Sequence, residues 1–311
     1  MKQLTGSVFL LTLLLVFAQG NAQQKYRFIG KKQPFRVGAY YYPEHWPEHQ
    51  WERDLKRIAD LGFEFTHYAE FAWSKLEPTD GEFNFEWLDK AVSIAEENGL
   101  KVIMCTQSCT PPAWLATRHP KILLEEIDYH REEHGTRAKM SFASDTFRYY
   151  VERMTRKIAD HYGDHPNVIG WQLHNEPFGH KDYSEASQEK FRKWLKNKYV
   201  SIDTLNKVWG NVFWSQTYNR FDQIRIPRDA WGINPNQALD LQRYNADMVA
   251  NFLDFQAAIL KEYISPRQWI TTNYISYIEG ADARRTRELD FSAYTTYLVY
   301  GQKNIGDKGF R

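Results

Sequence analysis

The chain has 311 residues, 16% of them aromatic, and a formal net charge of +1. A charge so close to balance leaves no electrostatic footprint for a nucleic-acid partner. The length suits one large domain or two average ones, and no stretch after the N-terminal leader is long and apolar enough for a membrane helix.

The N-terminal residues read as an address rather than as fold. Lys2 supplies the positive start, and Val8 to Phe17 is an apolar run too short to span a bilayer. Gly20-Asn21-Ala22 places small residues where a signal peptidase reads. Residues 1–22 are therefore expected to be a signal peptide, with cleavage after Ala22 and a periplasmic or secreted mature chain of residues 23–311.

Strand-like apolar runs then alternate with amphipathic helical stretches. Phe35 to Tyr42 reads as a first strand and Trp51 to Leu61 as a helix stopped by Gly62. Phe63 to Ala69 is a second strand, Trp87 to Glu97 a second helix closed by Gly99, and Lys101 to Thr106 a third strand. Thr146 to Tyr162 is helical and Val168 to Leu173 is a fourth strand. A long helical excursion follows: Ser187 to Tyr199, Ile202 to Trp209, then Asn236 to Tyr263 after Pro235. Trp269 to Asn273 and Leu289 to Tyr294 read as a fifth and a sixth strand.

Alternating β and α units with apolar strands imply a parallel sheet covered by helices. No Gly-rich phosphate loop follows the first strand, and residues able to do chemistry stand at several strand ends. Both points favour a TM-less α/β fold of the TIM (β/α)8 barrel type over a doubly wound sheet. A barrel of this kind needs eight β/α units; six are legible, so the expected architecture is a barrel truncated after about six units.

Cys105 and Cys109 lie in or just after the third strand, too far apart to bridge if the chain is extended there, and read as small core residues. His45-Trp-Pro-Glu-His49 matches a metalloprotease pattern. Pro47 belongs at a helix start, which leaves His45 outside the helix, and no metal is expected there.

The strand ends collect polar and aromatic residues. They include Tyr40, Tyr41 and Tyr42 with Glu44; Glu70 with Trp73; Thr106 with Trp114; and His174-Asn175-Glu176, with Arg137 on a loop between. In a barrel these share one bowl. Carboxylates, an arginine, amides and flat rings in one bowl describe a sugar site. Trp73 and Trp114 are the expected sugar wall, while Phe71, Phe83, Phe85 and Trp87 are expected to pack the core. Glu176, a carboxyl group at the end of a buried strand, is expected to have its pKa raised by burial, as a general acid requires. From spacing alone it could equally be a structural carboxylate paired with a basic neighbour.

On these motifs the chain resembles the family 42 glycoside hydrolases, the β-galactosidase family of the retaining, two-glutamate barrel clan. The resemblance rests on Gly38-Ala-Tyr-Tyr-Tyr-Pro-Glu-His-Trp46, Glu70-Phe-Ala-Trp-Ser-Lys-Leu-Glu-Pro78 and Gly81 to Asp89. It continues through Pro111-Pro-Ala-Trp-Leu115, Asn175-Glu176, Phe191 to Tyr199, Leu205 to Gly210, Phe213 to Tyr218, Thr271-Thr-Asn273 and Leu289 to Tyr294. It implies Glu176 as general acid/base and Asn175 as the holder of the sugar hydroxyl beside the reacting carbon. It also implies Arg137 as a galactose-binding arginine and Tyr297 as the tyrosine beside the nucleophile. Retaining hydrolysis needs a second carboxylate roughly 5–5.5 Å from the first. The resemblance implies that this group ends a seventh strand, which would begin after Arg311. Glu44, Glu70, Glu262, Glu279 and Glu288 are not assigned that role. Some relatives bind zinc through cysteines; here Ser141 stands at one such position and Gly179 to Gln188 contains none, so no zinc and no cofactor are expected.

The partner implied is an oligosaccharide or galactoside, with no nucleic acid and no membrane, and a homo-oligomer, a trimer, is a possibility the family carries. The alternatives left open are a clan hydrolase acting on arabinosides, glucosides or mannosides, and a catalytically inactive sugar-binding barrel.

Overall fold

The computed structural model describes residues 35–179, 181–228, 233–275 and 281–296. The leader, Glu279 and Tyr297 lie outside the described residues.

Five strands form one parallel sheet in sequence order: β1 (Gly38–Tyr40), β2 (Phe65–Tyr68), β3 (Lys101–Cys105), β4 (Val168–Gln172) and β5 (Trp269–Thr271). Every pairing from β1 to β5 is parallel. Helices α1 (Glu48–Asp60), α3 (Glu86–Glu97) and α5 (Asp145–Tyr162) connect successive strands and cover the sheet. A one-turn helix α2 (Trp73–Leu76) follows β2, and α4 (Ala113–Arg118) follows β3. This is the barrel architecture expected from the alternating pattern.

The expected first strand shortens at its start because Phe35 is 85% and Val37 is 53% exposed. Neither packs on the core, so the apolar run there is not a strand face. The expected fifth strand is interrupted rather than continuous. β5 pairs with β4, and after Thr272 the chain resumes as β6 (Asn273–Ile275), which pairs in parallel with β7 (Ala293–Thr295). Thr272 serves both sides of the break. Its hydroxyl donates to Leu173 O at 2.7 Å, and its carbonyl accepts from Ala293 N at 3.2 Å. The expected sixth strand starts late for a specific reason. The Asp290 carboxylate accepts the Ile270 N–H at 2.8 Å, while the Asp290 N–H donates to Ile270 O at 2.9 Å. A side chain thus takes the place of a backbone acceptor, and extended pairing begins only at Ala293.

One core lies between sheet and helices, with Trp51, Trp73, Trp171, Phe147 and Phe252 fully enclosed. A second, smaller core belongs to the helical excursion: α6 (Glu185–Tyr199), α7 (Ile202–Trp209) and the first half of α8 (Pro235–Lys261). There Phe191, Leu195, Leu205, Trp209 and Tyr244 pack together. Serines 144, 184 and 201 and Asn234 cap α5, α6, α7 and α8 by accepting free N–H groups of the first turn. Pro235 stands at the first position of α8, where its missing N–H leaves nothing unpaired. α1 begins at Glu48, so His45 lies outside it. Cys105 and Cys109 are free thiols, both buried.

Gly170 faces Trp269 across the β4–β5 ladder. A Cβ at Gly170 would stand 2.2 Å from the indole ring, and Trp269, itself buried, would have to move. Gly170→Ala is expected to destabilise the fold by about 1–3 kcal/mol, the range for overpacking a closed core, as read by urea unfolding. A midpoint equal to that of the parent chain would refute the close approach.

Candidate active site

The C-terminal ends of the parallel strands meet on one face, and the polar residues there form one connected network. From β1, Tyr40 Oη donates to Gln172 Oε1 at 2.8 Å, and two residues on Tyr42 Oη donates to Glu70 Oε2 at 2.8 Å. From β4, Gln172 Nε2 donates to Glu70 Oε1 at 2.7 Å. Asn175 and Glu176 follow β4 and are 5% and 7% exposed. From β6, Asn273 Oδ1 accepts the Glu176 N–H at 3.0 Å. Arg137, from the loop before α5, places Nη2 3.2 Å from Glu176 Oε2.

The Asn175 amide is oriented by its two ionic neighbours. One end lies 2.9 Å from Glu70 Oε1 and the other 2.6 Å from Arg137 Nη1. A guanidinium only donates, and Glu70 Oε1 already accepts from Gln172 Nε2, so oxygen faces Arg137 and nitrogen faces Glu70. One contact favours the reverse: Asn273 Nδ2 sits 3.0 Å from the end that faces Glu70. The two charge-assisted bonds outweigh that neutral one, and Asn273 Nδ2 has a second acceptor in Thr295 Oγ1 at 3.2 Å.

The backbone at the site is constrained. Ala69 (φ 68°), Ala138 (φ 61°), His174 (φ 54°) and Glu176 (φ 48°) all adopt the left-handed region. Each such residue costs on the order of 1–3 kcal/mol, which the surrounding contacts must offset. For His174 those contacts are visible: its N–H donates to Thr106 Oγ1 at 2.9 Å, and its Nδ1 shares a 2.9 Å hydrogen bond with Ser108 Oγ. Ala138 N donates to Cys109 O at 3.0 Å, which anchors the residue next to Arg137 to the end of β3.

The sequence-predicted residues thus divide. Arg137, Asn175 and Glu176 come together. Trp73 does not join them: it is fully buried, its Nε1 donates to Glu77 Oε2 at 2.9 Å, and its ring packs on Phe147. With no accessible face it cannot be a sugar wall, and this expectation is corrected. Trp114 is held in the packing between α4 and α5: Nε1 donates to Glu77 O at 3.0 Å, its ring meets Tyr150 edge-on, and Arg153 lies over it. These contacts make it a structural ring rather than the expected sugar wall. Conversely, Phe71, expected in the core, stacks on Tyr42 at the site.

Sequence reading passed over Gln172 and Asn273 as site members, and gave Glu70, placed in the same bowl, no role beyond that of a rejected nucleophile. A signal was present: Glu70 stands two residues beyond β2, at the strand end where a parallel barrel presents its chemistry. Gln172 lies inside β4, where a polar residue in an otherwise apolar strand marks a buried partner. Ser141 Oγ donates to the buried Asp182, which also accepts from Ser184 N and Oγ at 3.0 Å. Among the described residues no group of three or more His, Cys, Asp or Glu side chains comes together as a metal site would require.

The site's acids are set apart by burial. Glu70 is 3% exposed. Burial pushes its carboxyl up, and the Glu176 charge adds to this. Hydrogen bonds from Tyr42 and Gln172 and the charge of Arg137 pull it back, leaving it at about 7. Burial likewise raises Glu44, whose two carboxylate oxygens are enclosed. His67, beneath Tyr40 on β2, is pushed down to about 4 by burial.

Carboxylates, amides, an arginine and tyrosines thus meet on the strand-end face of a parallel sheet of the (β/α) barrel type. The chain belongs to the family 42 glycoside hydrolases, described as β-galactosidase, whose pattern it matches over residues 40–309. A β-galactosidase of Halorubrum lacusprofundi is 38% identical over 267 residues, which are 84% of this chain and 38% of the relative. A β-galactosidase of a Thermus species is 36% identical over 84% of this chain and 41% of its own length. The crystal structure of a β-galactosidase from the psychrophilic Marinomonas ef1 superposes with a TM-score of 0.81 at 38% identity, covering 85% of this chain and 41% of that one. The chain therefore spans about two fifths of the relatives it matches.

The Glu70 shift has a defined sign. Between its ordinary value of 4.5 and about 7 the folded chain keeps a proton that the unfolded chain releases. Stability from this group is then full below pH 4.5 and falls as pH rises through 7. At 1.36 kcal/mol per pKa unit the loss is on the order of 3 kcal/mol. Urea unfolding at pH 5 and pH 8 is expected to show a smaller drop for Glu70→Gln than for the parent. Equal drops would contradict the buried, proton-holding carboxyl.

Proposed function

We propose that the protein is a retaining β-galactosidase in which Glu176 is the general acid/base. The observation that carries the reading is the convergence of Glu176, Asn175 and Arg137 on one strand-end face in a chain of this family. Glu176 protonates the glycosidic oxygen as the bond to the leaving group breaks. A second carboxylate attacks the anomeric carbon to give a glycosyl-enzyme, and Glu176 then takes a proton from the water that releases the sugar. Glu176 is fixed for this by its own backbone, whose N–H is tied to Asn273.

Arg137 serves the sugar rather than the fold. Its side chain is 51% exposed, and an ion pair that open to water is worth about 0–1 kcal/mol. A sugar hydroxyl can take its place with little loss. Hydrogen bonds from Arg137 and Asn175 to the sugar strengthen as charge develops at the reacting carbon, which is where such contacts accelerate the chemistry.

In the full-length protein, Glu176→Ala is expected to lower lactose turnover by about 10²–10⁴-fold, the usual contribution of a positioned acid/base. Aryl galactosides with good leaving groups, which need little proton assistance, are expected to lose less, and added azide to recover part of the loss. Lactose turnover equal to the parent's would exclude the assignment.

We also propose export of the chain, on the strength of Lys2, the apolar run Val8 to Phe17 and Gly20-Asn21-Ala22. N-terminal sequencing of the mature protein from its native host is expected to begin at Gln23. A mature chain that still carries residues 1–22 would rule this out.

A further inference from the structure

We propose that Glu70 is a positioning residue of the same site: its Oε1 holds the Asn175 amide in one of its two orientations and so decides what the sugar hydroxyl beside the reacting carbon meets. The inference rests on the reading of Asn175 as the residue that holds that hydroxyl.

An amide side chain can turn by 180° with almost no change of shape, so packing cannot choose between its two ends. Only the polarity of the neighbours can. At Asn175 they are opposite: Glu70 Oε1 at 2.9 Å on one side and Arg137 Nη1 at 2.6 Å on the other. Turning the amide over would set oxygen against carboxylate and NH₂ against guanidinium, two unsatisfied contacts in a buried place.

Glu70 is itself fixed. Its Oε2 accepts from Tyr42, and its Oε1 accepts from Gln172 as well as from Asn175. Gln172 is held with its NH₂ toward Glu70 because the same nitrogen also donates to His174 O at 3.4 Å, a carbonyl that can only accept, while its oxygen accepts from Tyr40 Oη. The order of donors and acceptors therefore runs unbroken from Tyr40 through Gln172 and Glu70 to Asn175, then through Arg137 to Glu176. Side chains from after β1, β2 and β4 and from the Arg137 loop contribute, so no single loop sets the amide. Both Glu70 oxygens already accept hydrogen bonds, and at 3% exposure the residue is closed off from a sugar in the bowl. It acts through Asn175.

The test compares an aryl β-galactoside with the matching aryl 2-deoxy-β-galactoside in the full-length protein. The parent is expected to favour the galactoside strongly in kcat/KM, because a site built to hydrogen-bond a hydroxyl rejects the analogue lacking it. Glu70→Leu removes the acceptor. It is expected to shrink that preference about 10–100-fold, the effect of losing about one to two well-made hydrogen bonds, with the deoxy substrate changing far less. Glu70→Gln can still offer Oε1 to Asn175 and Gln172 and an NH₂ to Tyr42 Oη, and is expected to restore most of the preference. Should Glu70→Leu fail to fold, Glu70→Asp, whose shorter side chain withdraws the acceptor from Asn175, is expected to lose the preference in its place.

Parallel losses on both substrates would show a purely structural role and overturn the proposal. A Gln variant as impaired as the Leu variant would overturn it too, by showing that charge rather than the acceptor matters. A parent protein with no preference for the 2-hydroxyl would instead remove the reading of Asn175 on which the proposal stands.

Discussion

The parallel run of the strands is the constraint from which the rest follows. Because β1 to β5 pair in sequence order and in one direction, residues that follow each strand emerge on the same face. Tyr42, Glu70, Asn175 and Asn273 are far apart in the chain yet become neighbours for this reason alone. An antiparallel arrangement would send alternate strand ends to the opposite side and no such cluster could form. The apolar strand interiors and the helices that cover them therefore serve the site even though none of them touches it.

The cluster creates a second requirement. Buried carboxylates, amides and a guanidinium are tolerable only if each finds a partner. The network meets this by alternating donors and acceptors across several strand ends, and it accepts left-handed backbone at Ala69, His174 and Glu176 to do so. The strain sits beside the groups that need exact placement. The smaller core around Phe191, Leu205 and Trp209 lies in the helical excursion after β4.

Much of this was legible in the residues. Alternation of apolar runs and amphipathic stretches gave the parallel sheet, and the helix starts were marked by serine and Asn-Pro caps. Asn175-Glu176 and Arg137 stood out because their motifs are specific. The Thr272 interruption was hidden, because Trp269 to Asn273 reads as one strand while the residues on either side of Thr272 pair with different neighbours. The late start of β7 was hidden as well, since an Asp side chain substituting for a backbone acceptor leaves no periodic trace. Trp73 misled because an aromatic residue at a strand end looks the same whether its ring faces solvent or the core. Only its bond to the enclosed Glu77 decides that. Glu70 was visible as a residue but not as a member of the site, because its role depends on which amide it faces.

Asn273 ties the Glu176 backbone to a strand that lies 97 residues further along the chain. Contacts of such long separation form late, after the loop between them has closed. A ribosome that has made Glu176 has therefore already made Arg137, but not the side chain that ties the Glu176 N–H. The site comes into being only when the polypeptide has grown past the helical excursion and Asn273 has docked beside β4. Its assembly is thereby a report that the intervening third of the chain has folded.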